Sequence, residues 1–250
     1  MTIYAIPFSY GWATRAKTAF DKLSFFAIFI IPVWFVCGMP ISLRFVIGVI
    51  AEYSLYEIGY LINDYFTVRK ETMPNHRLPQ EKHAKIEKYL IQISATRITI
   101  VILSLIYLRS QEFTVALAYI AVIFALHNTI RCNWNIFTYF LLCLGKYLAL
   151  PALHIPEKIG EACLILALAF VIPRTIEHAS KPKYRLPFLK SLNHNKFRAV
   201  YSYILASTAT MFAPFSLLFF VALWYYVYRV VVLAIFLYFG DPRKKPSPQL

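Results

Sequence analysis

The chain of 250 residues is 59% hydrophobic and 17% aromatic with a mean hydropathy of +0.57, more apolar surface than one water-soluble core of this size can hide. Several runs approach the roughly 20 apolar residues that cross a bilayer, which excludes a soluble globular domain and indicates a polytopic membrane protein. The net charge of +14 lies mostly between those runs, where it reads as a topology signal and an attraction to anionic lipid, with no nucleic acid implied.

Residues 1–20 carry Pro7 early and Arg15 and Lys17 late, without the charged start, apolar core and small-residue cleavage site of a secretory signal. The first span is therefore expected to be a permanent anchor. Apolar runs at residues 22–38, 41–66, 91–108, 113–130, 134–153, 160–176, 199–216 and 217–239 predict an all-α, polytopic transmembrane bundle of eight helices, forming one integral-membrane domain over residues 1–250. The last two runs adjoin at Pro214, so seven and nine are the alternative counts. Lys and Arg give an independent check, because cytoplasmic loops retain positive charge. With the N-terminus inside, nineteen loop cations fall on the cytoplasmic side and only Arg44, Arg109 and Lys158 on the other. Both termini are then cytoplasmic, as are the long loops 67–90 and 177–198.

The four cysteines, Cys37, Cys132, Cys143 and Cys163, stand singly in or beside apolar runs, without the close Cys or His spacing of a zinc site. They are expected to be buried thiols.

The second span ends on Tyr56-Glu-Ile-Gly-Tyr-Leu-Ile-Asn-Asp64, and helical spacing puts Tyr53, Tyr56, Glu57, Tyr60, Asp64, Thr67 and Glu71 on one stripe. Asp64 and Glu71, with the amide of Asn63, supply the hard oxygen donors that suit Mg²⁺, which takes one or two carboxylates and fills its other positions with water and phosphate oxygens. An interfacial helix end with solvated charges is the plainer alternative. Glu57 lies about two turns deeper and needs a partner, with Arg97, Lys146 or a tyrosine hydroxyl as candidates.

In the fourth span His127, Asn128 and Arg131 close the cytoplasmic end. Lys146 sits in the middle of the fifth, in Leu144-Gly-Lys-Tyr-Leu-Ala-Leu-Pro151, where an ammonium either snorkels or faces a polar cavity, the cavity being favoured. The sixth ends on Arg174-Thr-Ile-Glu177-His178-Ala-Ser-Lys181, whose Arg174, Glu177, His178 and Lys181 share a face. Arg174 and Glu177 either pair with each other or face a ligand. Spans two and six thus end alike, each followed by a basic loop, which suggests a duplicated bundle with one polar site between the halves. Arg229, beside Tyr225, Tyr226 and Tyr228 in the last span, is expected to be structural or to snorkel towards the lipid surface.

On these residues the chain resembles the UbiA superfamily of intramembrane prenyltransferases, which carry an Asn-Asp-x-x-Asp-x-x-x-Asp motif after helix two and a second acidic motif after helix six. Asn63-Asp64 matches the opening of the first motif, Thr67 replaces its middle acid and Glu71 stands in for its last; Pro74 and Arg77 sit where that family has a downstream Pro and Arg. The single acid of Arg174-x-x-Glu177, Arg198 with Tyr201, and Gly145-Lys146 are closer to the branch that makes polyprenyl-phosphate phosphoribose. The resemblance implies a Mg²⁺-dependent membrane transferase with a diphosphate donor and an isoprenoid lipid substrate. Its metal would sit on Asp64, Glu71 and Glu177, and its substrate would touch Asn63, Tyr60, Arg69, Lys70, Arg77, Asn128, Arg131, Lys146, Arg174, Lys181 and Arg198. Phosphoribosyl transfer to a polyprenyl phosphate is the leading reaction. Prenyl transfer to an aromatic or other small acceptor and terpene cyclisation are the alternatives, and a non-catalytic transporter of an anionic lipid is the rival of another class.

Overall fold

A computed structural model describes residues 3–68, 77–130, 132–189, 192–212 and 216–240. The N-terminal segment begins with a 3₁₀ turn and the short helix α1 (Ser9–Thr14). The first span is α2 (Ala19–Phe25), a π-helical turn over Phe26–Ile30 and α3 (Ile31–Val36). The second is α4 (Leu43–Ile62) with a π-helical end over Asn63–Thr67. Then come α5 (Gln80–Lys88), α6 (Leu90–Leu108), α7 (Gln111–Thr129) and α8 (Trp134–His154). The sixth span is α9 (Ile159–Leu166), a π turn over Ala167–Val171 and α10 (Ile172–Ala179); α11 (His194–Phe212) and α12 (Leu217–Phe239) form a closing hairpin.

Seven of these segments are long and apolar enough to cross a membrane, and no strand occurs among the described residues. The expected span that is missing from these is the seventh, 199–216, which corresponds to α11 and has the length but not the apolarity. Its first five residues include His194, Asn195, Lys196 and Arg198. The loop expected over 67–90 contains helix α5, polar nearly all round, whose Ile86 is fully buried against Tyr10, Leu61, Tyr65 and Ile93. Cys132 is exposed and Cys163 half-buried, which corrects the expectation of four buried thiols; Cys132 lies in the turn between α7 and α8, outside any packed run.

Local chemistry sets the ends. Ser42, Ser110 and Ser216 each cap a helix by accepting from the amide three residues on, at 3.2–3.3 Å. Arg109 ends α6 in the left-handed region with φ 48°, which turns the chain into α7 within two residues, α6 packing on α4 and α7 on α8. The π turns leave carbonyls that other helices reach: Trp224 donates to Ala27 (2.9 Å), Tyr147 to Ile28 (3.3 Å) and Tyr201 to Leu168 (2.8 Å). Isoleucines, leucines and valines such as Ile102, Leu103, Ile106, Val115 and Val122 face outward, as a lipid-exposed surface requires. Spans two, four and six run in the same direction and end together, with the starts of α8 and α11. That shared end is where the polar groups gather.

Candidate functional site

Asp64 occupies the first turn of the π segment that continues α4, 6% exposed. Arg15, just after α1, grips it with two parallel hydrogen bonds of 2.7 and 2.8 Å. The Tyr10 hydroxyl donates to it at 2.8 Å, the Asn63 amide at 3.1 Å, and the Arg77 guanidinium lies 3.6 Å away. Burial and the Asp64 charge push the Tyr10 phenol up, which keeps it a donor at neutral pH. Arg15 also lies over the Tyr60 ring, 4.0 Å from its centroid.

Four structural facts hold Arg15 in place. Glu57 and Arg97, both fully buried, form an ion pair within the bundle. Glu57 accepts from the amides of Phe8 (2.9 Å) and Gly11, while Arg97 donates to the carbonyls of Tyr4 (2.7 Å) and Ile6 (3.1 Å). Phe8 stacks on Tyr53 at 4.4 Å. At position 11 a Cβ would stand 2.8 Å from the Tyr53 hydroxyl and 3.0 Å from Glu57, so only glycine lets the backbone come this close. Of the three partners considered for Glu57, Arg97 is the one it has.

Across the bundle, Glu177 on α10 is paired with Arg198 of α11, and Arg174 stands 3.9 Å away. His178 stacks on Tyr139 at 3.8 Å and meets the Tyr184 hydroxyl; Lys181 lies 3.1 Å from its Nδ1 and Asn135 Oδ1 lies 3.2 Å from its Nε2. A lysine donor at Nδ1 places the imidazole proton on Nε2. Of the two expectations for Arg229 the structure takes the structural one and not snorkelling: it is 3% exposed, donates to the Tyr225 hydroxyl at 2.7 Å and faces inward, where tyrosines at its own helix turn give it a polar lining.

Between these two halves lies a polar cavity of two lobes, about 320 and 290 Å³, which share Arg15, Tyr60, Lys146, Tyr147 and Arg174. The first adds Asn63, Arg77, Asn128, Lys181 and Lys183; the second adds Asp21, Arg198 and Arg229. Among the described residues eight cations thus line the cavity, and Asp21 is the one acid in its walls. Asp64 and Glu177 are already engaged with arginines. Lys146 does not snorkel: four rings, Phe29 (4.2 Å), Tyr56 (4.9 Å), Phe25 (5.5 Å) and Tyr53 (5.6 Å), surround its ammonium. Deeper on α4, Glu52 is 1% exposed with no hydrogen-bond partner among the described residues.

The structure brings Asn63, Tyr60, Arg77, Asn128, Lys146, Arg174 and Lys181 to one lobe and Arg198 to the other. Asp64 and Glu177 stand behind the walls at the same end of the bundle. Glu71, Arg69, Lys70 and Arg131 lie outside the described residues, as does Pro74. Sequence reading missed Arg15, treated only as a topology charge, and Tyr10, which carried no signal. Glu52 did carry one, an acid in the middle of an apolar run.

The described carboxylates do not fit a Mg²⁺ site. Both Asp64 oxygens are taken by Arg15, Glu177 is taken by Arg198, and no three His, Cys, Asp or Glu side chains gather as metal ligands among the described residues. What the cavity offers is a surplus of cations, suited to an anion with several oxygens.

Lys181 supplies a pH handle. Burial, then the charges of Lys183, Arg77 and Arg174, pull its pKa down to about 8. A bound anion favours the protonated lysine, so diphosphate affinity is expected to fall as pH rises from 7 to 9, by at most about tenfold, the worth of one charge-assisted hydrogen bond. Calorimetric titration at constant ionic strength checks this, and Lys181→Gln flattens the profile.

No family model, curated protein or solved structure matches the chain.

Proposed function

We propose that this protein is a membrane-embedded transferase of UbiA type, which takes a diphosphate-bearing donor into the cationic cavity and passes the donor's group to an isoprenoid lipid phosphate. The observation that carries the reading is the cavity lining: eight described cations, from α8, α10, α11, α12 and the turns beside them, converge on one half-open space, while Asp64 and Glu177 behind its walls are bound to arginine. So many like charges around one space, only some of them open to solvent, are costly to hold together without an anionic ligand. The charge distribution of the loops supports a cytoplasmic position for this end, where diphosphate donors are found.

The leading reaction is phosphoribosyl transfer from phosphoribosyl diphosphate to a polyprenyl phosphate. The bond from C1 of the ribose to the diphosphate oxygen breaks, the electron pair leaves on diphosphate, and an acceptor phosphate oxygen forms the new bond to C1. Arg15, Arg77, Lys146, Arg174 and Lys181 neutralise the charge that grows on the leaving group. A phosphate monoester is already deprotonated near neutral pH, with its second pKa near about 6, so it needs no base. That suits a site in which Asp64 and Glu177 are both committed to guanidinium groups. Prenyl transfer to an aromatic hydroxyl requires a proton acceptor, which these acids supply only after leaving their partners.

A second reading, non-catalytic binding or transport of an anionic lipid, is favoured by the same two engaged acids. One assay separates the readings. Membranes containing the protein are incubated with labelled phosphoribosyl diphosphate or labelled geranylgeranyl diphosphate, and lipid products and free diphosphate are measured by mass spectrometry. Label in polyprenyl-phosphate phosphoribose supports the leading reaction, label in a prenylated small molecule supports the prenyl alternative, and donor binding without diphosphate release leaves the transporter. Because the described residues hold the anion through cations, diphosphate is expected to bind in excess EDTA within about threefold of its affinity without chelator. A loss of more than about tenfold would place a metal in the ground-state complex.

A further inference from the structure

Helices α4 and α7 run side by side in the same direction, and between them an apolar groove of about 480 Å³ opens on the outer face of the bundle. Its walls follow from helical spacing. Leu55, Ile58, Ile62 and Phe66 recur along α4 and its π end, while Ala121 and Ala125 leave the facing side of α7 without bulk. At position 59 a Cβ would stand 2.5 Å from the Phe124 ring, so glycine lets that ring close the groove floor. From Leu55 to Phe66 the groove is about 16 Å long at helical rise.

The groove does not end blindly. Phe124 and Asn128 line both it and the cationic lobe, and among the described residues are the only ones common to the two. Asn128 is 9% exposed, and its amide nitrogen has no hydrogen-bond partner among the described residues. A buried donor of this kind costs about 1–3 kcal/mol unless something accepts from it. The cavity side of Asn128 carries Arg77, Lys181 and Lys183, and its groove side is apolar.

We infer that this groove is the tail site for a lipid phosphate with a long unbranched-backbone chain of isoprenoid type, its phosphate passing Asn128 into the cationic lobe and accepting from the Asn128 amide. The inference rests on the cavity being an anion site and assigns the direction from which the lipid substrate enters, through the bilayer between the second and fourth spans. Selection comes from shape and head group, since the bilayer offers the tail an equally apolar surrounding.

The test uses the full chain in nanodiscs with geranylgeranyl phosphate bearing a diazirine at the tail end, the same probe as the free alcohol, and inorganic diphosphate. Expected are cross-links concentrated on α4 and α7 near Ile58, Ile62, Ala121 and Ala125, competed by unlabelled geranylgeranyl phosphate and not by the alcohol. Ala125→Trp, which fills the groove from its exposed side, is expected to weaken probe binding about tenfold or more and leave diphosphate affinity unchanged. Asn128→Leu is expected to weaken the phosphate probe about tenfold and the alcohol not at all. Ala121→Trp, one turn along the same wall, replaces Ala125→Trp should that variant fail to assemble. Cross-links spread evenly over the lipid-facing helices, equal competition by the alcohol, or unchanged probe affinity in both tryptophan variants overturns the groove while diphosphate binding stands. Absence of diphosphate binding in the unmodified protein instead overturns the anion site, and the groove assignment with it.

Discussion

Arg97→Leu is expected to lower the unfolding free energy by about 3–5 kcal/mol, the usual result of leaving one member of a buried ion pair without its partner. The substitution strands the fully buried Glu57 carboxylate and frees the carbonyls of Tyr4 and Ile6. The N-terminal segment, which Glu57 and Arg97 hold through four backbone hydrogen bonds, then detaches. Thermal unfolding in detergent and proteolysis of residues 3–14 measure both effects. Glu57→Met combined with Arg97→Leu removes the stranded charge and is expected to recover part of the loss, since an apolar pair can replace a buried ionic one at little cost. A loss below about 1 kcal/mol in the single variant would mean that the pair is not what fixes this segment.

Asp64→Asn is expected to separate binding from turnover. The neutral amide no longer anchors Arg15 by its two parallel bonds, and one negative charge leaves the margin of the cavity. Diphosphate affinity is therefore expected to stay level or rise, while turnover falls about 100-fold, because a displacement of roughly 1 Å at a positioning group costs that much. Arg174→Met is expected to act the other way. It removes a guanidinium that borders both lobes, and diphosphate affinity falls about 30-fold, or about 2 kcal/mol, the worth of hydrogen bonds to a charged group. Equal losses of affinity in both variants would mean that Asp64 itself contacts the ligand, through a metal or otherwise. Calorimetry and the product assay together give the answer.

The spans were legible because each is a long apolar run, and the loop cations grouped them at one end. Tyr56 and Tyr60 followed the helical stripe read from their spacing and do face the cavity. The stripe fails beyond Ile62, where the backbone changes to π geometry and successive residues turn by less than the 100° of an α-helix. It also merges neighbours with different fates: Glu57 turns to Arg97 and the N-terminal segment, one position from Tyr56 at the Lys146 ring cage. Arg15 could not be assigned from spacing, because its partner is 49 residues away and a basic residue before a first span already has an explanation. Arg198 was recognised as a site residue, but not that it would occupy Glu177 from a separate helix. Helix α5 escaped notice because eight of its nine residues are polar or small and a single isoleucine makes its inner face.

The arginine that binds Asp64 is delivered by chain that precedes every span, and the clasp that secures it needs nothing beyond the third. During synthesis, Arg15, Asp64, Glu57 and Arg97 have all left the ribosome once α6 is complete, so this half of the polar network can lock while the remaining helices are still being made. Arg174, Glu177 and Arg198 arrive only with the sixth span and α11. Insertion thus assembles the cavity in two acts, an early half that is self-neutralised and a late half that must dock against it, and a chain arrested between the two carries a finished N-terminal clasp and only part of the cationic wall.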